Sequence, residues 1–387
     1  SRLENDGNFA MSVQTGATAP NQNLNKEASS GFLIGAGSSI DYRAAALIHH
    51  SPGEEGGYFI GVTANGTMFI QDFNNKQKEI LAKQSISNLP QIYQIEIQGN
   101  QNDTSYQLIL TVSDESQKEL GKLTYNIEEL KLKGNVALVS HPGKGKNTGA
   151  YWFNNWTLSG DKFSYDSSHN SGPIITAQYT LSNKILKINA QLMPIGTTDN
   201  QDVSLEIKNG DVWESLGSTS IQHLSYNALF KIENFNDSVT TPYRLSYTLK
   251  ETGEKYYFEG SIKKNPVDKD TVIVAGFTGN HNLAKGVESS PFNWKEQIWY
   301  PHNQLVDHVK KQNPDLLFFS GDQIYERASP SNVDRNNKNM DYMYKWYLWC
   351  WAYNNITKDL PTVTIPDDHD VFQGNVWGNG GGEIDKD

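Results

Sequence analysis

Three short segments late in the chain carry side chains able to hold metal ions: Thr278-Gly279-Asn280-His281-Asn282, Gly321-Asp322-Gln323-Ile324-Tyr325-Glu326 and Pro366-Asp367-Asp368-His369-Asp370. Their amide, carboxylate, phenol and imidazole donors suit hard cations such as Ca²⁺, Mg²⁺, Mn²⁺ or Fe³⁺. Three carboxylates around one imidazole are costly without a cation, because like charges a few ångströms apart resist ionising together. Asp322 and Tyr325 lie three positions apart. At a strand-to-helix turn, one helical turn would bring both side chains to the same side. A carboxylate there can bridge two cations, and a phenolate favours a strong Lewis acid such as ferric iron. A helix-capping Asp over a packed Tyr is the plainer alternative.

Each segment follows a continuous apolar run: Thr271 to Phe277, Leu316 to Phe319 and Val363 to Ile365. Such runs suit parallel strands buried on both faces. Leu305, Val306 and Val309 mark one stripe of a helix between the first two, and Met340 to Tyr353 forms a second helix before the third. Strand–helix–strand–helix–strand is the opening of an α/β layer, whose ligands bind beyond the carboxyl ends of the strands. Parallel neighbours would therefore gather the three segments on one patch. Three strands do not close a domain, so the α/β part reads as incomplete, and Ser1-Arg2-Leu3-Glu4 reads like the interior of a β domain.

Upstream the pattern is all β. From Ser30 to Gly160 short apolar runs alternate with polar turns, as in Ile92-Tyr93-Gln94-Ile95-Glu96-Ile97. Asn65-Gly66 between two such runs predicts a type I′ hairpin turn. This stretch reads as a jelly roll over 1–165. After the linker Asp166 to Pro173, about seven strand candidates precede Pro266, the size of an immunoglobulin- or fibronectin-like sandwich over 173–265. The third region, 269–387, holds the α/β pattern and six of the nine Trp residues. The predicted fold class is multidomain: jelly roll, β-sandwich, then the first part of an α/β domain.

Composition narrows the function. With 33 Lys+Arg against 44 Asp+Glu the net charge is −11, which argues against a general nucleic-acid binder. No apolar run approaches the ~20 residues of a transmembrane helix. One cysteine, Cys350, excludes a disulfide framework and a cysteine zinc site; beside Trp349 and Trp351 it reads as core. His302 and His308 read as helix-packing or surface groups, and His49, His50, His141, His169 and His223 as structural or solvated ones.

The segments Gly321 to Glu326 and Pro366 to Val371 resemble the signature pair of the PhoD-like metallophosphatases, within the calcineurin-like metallophosphoesterase superfamily. The likeness runs from Val272 to Gly378. The first region, ending in Tyr151-Trp152-Phe153-Asn154-Asn155-Trp156, more loosely resembles concanavalin-like jelly rolls. The family resemblance implies a bi- or trinuclear site with Fe³⁺ and Ca²⁺, with Mn²⁺, Mg²⁺ or Zn²⁺ as alternatives. Asp322 would be the bridging carboxylate, Tyr325 the ligand to Fe³⁺ and Asp368 a ligand to the second metal. His369 would stabilise the phosphoryl oxygens or help the leaving group depart. The family's Asp-x-His or cysteine after the first strand is absent. Asn280, His281 and Asn282 are available, and Asn280, nearest the strand tip, is the expected ligand. The remaining family ligands come from later strands.

The resemblance implies hydrolysis of phosphomonoesters or phosphodiesters by metal-bound hydroxide, in a secreted, periplasmic or surface-attached bacterial protein. The alternative is a surface glycan-binding or adhesion protein in which the jelly roll binds a glycan or cell-surface ligand and the α/β part is not catalytic. Further His and Asp ligands downstream and sensitivity to Asp322→Asn separate the first reading from the second.

Overall fold

Strict alternation builds the first unit. Ser105–Ser113 buries every second residue, Tyr106, Leu108, Leu110 and Val112, and leaves the rest half-buried on the other face. The computed structural model describes all residues except 20–23, 45–46, 48–52, 76, 144–148, 281–282, 285–297, 326–337 and 372–387. The chain divides into two compact units, one built on Ser1–Ser168 and the other on His169–Lys285 with Trp299–Asp387.

In the first unit a seven-stranded antiparallel sheet runs in the order Phe163–Ser164, Arg2–Leu3, Gly134–His141, Ser29–Ala36, Tyr58–Thr63, Thr67–Asp72, Ile80–Ser85. The second sheet runs Tyr151–Ser159, Phe9–Ala17, Ile92–Gln101, Ser105–Ser113, Glu119–Glu128. Phe32, Ile34, Ile60 and Ile70 of the first sheet share one core with Met11, Val13, Ile95 and Leu110 of the second. The predicted type I′ turn is corrected: Gly66 alone has positive φ, at 82°. Asn65 instead uses its side chain, accepting the hydroxyl protons of Thr63 and Thr67. A type I turn closed by a left-handed glycine satisfies the strand twist equally well.

The second unit opens with seven strands in sheets of three and four. The three-stranded sheet is Ile174–Ser182, Ile185–Leu192, Asn227–Ile232; the other runs Val212–Ser220, Asp202–Asn209, Thr241–Thr248, Lys255–Ile262. Both are antiparallel and close on a core that includes Tyr179, Ile188, Leu205, Phe230, Tyr243 and Leu245. A parallel sheet follows, Val274–Phe277, Leu316–Phe319, Thr362–Thr364, with Phe277 opposite Phe319 and Phe319 opposite Thr364. Burial is uneven. Phe277, Leu317 and Phe319 are buried, whereas Val272, Ile273 and Val274 stay exposed, so the first strand is not buried on both faces as its composition predicts.

Two helices serve this sheet. Asn303–Lys311 buries Val306 and places His308, Lys310 and Lys311 in its last turn, where cations favour the negative end of the helix. His302 lies just before it in a left-handed conformation, stacked on Tyr353. Lys338–Thr357 is buried at consecutive positions Leu348, Trp349 and Cys350, which requires cover on more than one side. Trp349 meets Phe319 edge-on at 4.8 Å, while Trp346 donates to Gln191 of the sandwich at 3.0 Å. The helix is thus core between two sheets, and burial raises the Cys350 thiol pKa well above its ordinary range. No described helix is long and apolar enough to cross a membrane.

The segment that leaves this helix is fastened to the sandwich. The Lys358 carbonyl accepts from Tyr243 Oη at 3.0 Å and from the Ser261 N–H at 3.2 Å, and the Asp359 carbonyl accepts from Tyr179 Oη. Thr364 donates to Gln178 at 3.0 Å. At the opposite end of the parallel strands, buried Asp315 meets Lys269 at 2.6 Å, Lys263 at 3.1 Å and the Ile273 N–H at 3.1 Å. Burial alone would raise its carboxyl; the bonds from Lys269, Ile273 and Lys263 prevail and hold it at about 2. Its stabilising contribution is therefore complete above the unfolded value of ~3.9 and is lost as pH falls toward 2. Asp315→Asn is expected to lower the urea midpoint of the second unit at pH 6, and the gap to wild type should shrink progressively on acidification toward pH 2. A gap independent of pH would contradict that assignment.

Candidate metal centre

Hydrogen bonding between neighbouring strands continues past their ends and carries the three tips forward together. Ser320 N–H donates to Phe277 and Ile365 N–H to Phe319, and Gly279 N–H reaches Gly321 O at 3.4 Å. The polypeptide then turns sharply. Gly321 has φ 111°, and a Cβ there would lie 2.3 Å from Asp367 Cβ, so only glycine lets the two loops approach this closely. Asp322 follows at φ 58°, a left-handed conformation that a non-glycine residue adopts at a cost of ~1–3 kcal/mol. The helical turn predicted for Asp322–Tyr325 is not what pairs them: the described residues 321–325 form no helix. The left-handed turn does the work, placing Tyr325 Oη as donor to Asp322 Oδ2 at 2.9 Å.

From the third strand, Ile365 and Pro366 lead into a single 3₁₀ turn over Asp368–Val371. It brings Asp368 and His369 to Asp322: one donor atom from each of the three lies within 4.8 Å of the others. The His369 ring stacks on Tyr325 with centroids 4.3 Å apart and planes at 27°. Tyr342, from the long helix, donates to the His369 carbonyl at 3.4 Å.

Asp322 Oδ1 is buried and accepts no hydrogen bond among the described residues. A buried, unpartnered carboxylate oxygen is costly, and it is what a metal ligand looks like when its ion is not counted. Burial, the bond to Asp322 and the charges of Asp322, Asp368 and Asp370 all raise the Tyr325 phenol pKa. The negative field at that point is what a cation would neutralise. The donor chemistry and the orphaned oxygen therefore fit a hard cation.

Of the residues singled out by sequence, the structure gathers Asp322, Tyr325, Asp368 and His369. Asn280 sits half-buried on the neighbouring tip, and its side chain makes no hydrogen bond among the described residues. Gly279 beside it faces the cluster, since a Cβ there would stand 3.8 Å from Tyr325 Oη. His281, Asn282 and Glu326 lie outside the described residues. Asp370, in the sequence one member of a charged group, is half-buried and accepts four backbone N–H groups. Burial raises its carboxyl against the pull of those bonds. Its position at the end of an acidic run after an apolar strand sequence was the available signal.

No protein-family model matches the chain, and no curated protein matches it. Among solved structures it is similar to purple acid phosphatase PPD1 from yellow lupin (Lupinus luteus) seeds, with 11% identity over 95% of this chain and a TM-score of 0.38. It is also similar to a β-glucuronidase of Parabacteroides merdae (10% identity over 76% of the chain, TM-score 0.20) and to a pullulanase from Bacillus acidopullulyticus (8% over 82%, TM-score 0.17). The chain spans 55%, 43% and 44% of those structures, about half of each.

Gly321→Ala is the sharpest test of this geometry. Positive φ and the 2.3 Å approach to Asp367 together should cost at least ~1–3 kcal/mol, seen as a lowered urea midpoint followed by tryptophan fluorescence. An unchanged midpoint would mean that the two loops are not packed this closely.

Proposed function

We propose that the cluster of Asp322, Tyr325, Asp368 and His369 forms part of a metal centre that hydrolyses phosphate esters. The single observation that carries this reading is the buried Asp322 Oδ1, unpartnered among the described residues and set amid converging carboxylate and imidazole donors. The motif pair around Asp322 and Asp368 supports the finer assignment to the PhoD-like class, with Fe³⁺ and Ca²⁺ as the expected ions.

When bound, paired cations polarise a phosphoryl oxygen, lower the pKa of a water and screen its approach to an anion. The chain's own residues have distinct tasks. Asp322 would hold the metal through Oδ1, while protonated Tyr325 donates to Oδ2 and fixes the carboxylate plane. Joining the ligand set would cost Tyr325 the proton that holds Asp322 Oδ2; burial and the neighbouring carboxylates raise its phenol pKa and favour the donor role until a cation is bound. Asp368 supplies the second carboxylate from the opposing loop. His369, its ring stacked on Tyr325 and its carbonyl bonded by Tyr342, would neutralise phosphoryl oxygens or pass a proton to the leaving oxygen. A net charge of −11 is no obstacle to an anionic ester when the cations supply the local attraction.

The test uses the intact protein, stripped with chelator and reloaded with Mn²⁺ or with Fe³⁺ and Ca²⁺. Hydrolysis of p-nitrophenyl phosphate or bis(p-nitrophenyl) phosphate should return with metal. Asp322→Asn and Asp368→Asn should fall to background, and His369→Gln should lose ~10²–10⁴-fold in kcat. Turnover indifferent to chelator, or preserved in Asp322→Asn, would refute the reading.

A further inference from the structure

The two metal-bearing loops belong to different strands, and their donors can share an ion only if the distance between the loops is fixed. We infer that Asp370 is the positioning residue that fixes it. Its Oδ2 accepts the N–H of Asp322 at 2.7 Å and of Asp367 at 2.9 Å; its Oδ1 accepts the N–H of Gln323 at 2.9 Å and of Ile324 at 3.1 Å. Three of these donors lie on the Asp322 loop, and the fourth on the loop that carries Asp368. With its amide nitrogen turned toward Asp370, the orientation its neighbours dictate, Gln323 adds bonds of 2.9 and 3.1 Å and accepts from Gly321 N–H at 3.0 Å.

One carboxylate thus gathers the successive N–H groups of a left-handed turn, an arrangement that otherwise binds free anions. Here the anion is covalently part of the opposing loop. The turn beginning at Asp322, whose Oδ1 is buried, cannot relax without losing these bonds. Asparagine cannot substitute: it has one acceptor oxygen, and its NH₂ would face N–H donors. Asp370 is not assigned as a metal ligand, because both of its oxygens are already committed. Its consequence for metal binding rests on the reading proposed above; the fastening of the loops does not.

The experiment compares intact wild type, Asp370→Asn and Asp370→Glu by two readouts. The first is amide exchange resolved at Asp322, Gln323 and Ile324. The second is Mn²⁺ affinity, from the paramagnetic signal of free Mn²⁺. In Asp370→Asn the three amides should lose protection and Mn²⁺ should bind ~10–100-fold more weakly, the usual effect of removing a group that orients a ligand. Asp370→Glu, which keeps the charge and both oxygens, should recover part of that affinity. Wild-type protection, or wild-type Mn²⁺ affinity, in a folded Asp370→Asn protein overturns the inference. Should Asp370→Asn not fold, the wild type and Asp370→Glu decide: unprotected amides at 322–324 in the wild type overturn it. If wild type binds no Mn²⁺ while the amides respond as expected, the metal reading falls and the positioning role stands.

Discussion

Parallel pairing of Val274–Phe277, Leu316–Phe319 and Thr362–Thr364 is the constraint from which the candidate site follows. Parallel strands end on the same edge, so residues far apart in sequence are delivered to one place without any affinity for each other. Antiparallel pairing would have sent the Asp322 and Asp368 loops to opposite ends. The register is held by aromatic packing, with Phe277 and Phe319 stacked at 4.4 Å and Trp349 and Tyr353 closing on them from the long helix. It is held at the other end by Asp315, which ties Lys263 and Lys269 to the start of the second strand. A carboxylate paired in this way is a fixed point because breaking it would leave a buried charge uncompensated.

The sandwich is part of that scaffold rather than an attachment to it. The Lys358 carbonyl, between the long helix and the third strand, accepts from two of its residues, and Tyr179 accepts from the Lys263 N–H while donating to Asp359. A Cβ on Gly260 would stand 2.5 Å from the Lys358 oxygen, which shows how closely the two backbones approach. The third strand therefore starts from a position set by the sandwich, and six residues after Pro361 the chain reaches Asp367. Movement at the sandwich face would be transmitted to the loop carrying Asp368 and His369.

Much of this was legible because the signals were local. Apolar runs located the strands: Leu316 to Phe319 is a strand over those same residues, and the helices at Asn303–Lys311 and Lys338–Thr357 enclose the predicted stripes. The clustering of Asp322, Tyr325, Asp368 and His369 followed from residue type and the rule that parallel strands share an edge. What failed was finer geometry. A three-residue spacing reads as a helical turn, but Asp322 at φ 58° achieves the same proximity through a left-handed bend, which Asp tolerates but the spacing does not announce. Asn65-Gly66 misled in the same way, since the side chain of Asn65 supplied bonds that the turn type was expected to provide. The exposure of Val272 and Ile273 was equally hidden, because composition records what a segment can bury and not what covers it.

The least legible feature is also the most informative about design. Asp322 and Asp370 are identical in chemistry and lie side by side, yet the fold treats them oppositely. Both oxygens of Asp370 accept N–H groups; Asp322 has one oxygen held by a phenol and the other buried and unpartnered among the described residues. A solvated acidic surface would satisfy both through water and would have no need of a left-handed residue or of a glycine pressed against Asp367. The asymmetry costs stability at Asp322 and recovers part of it at Asp370. That distribution makes sense if the first carboxylate is kept available and the second exists to keep it so.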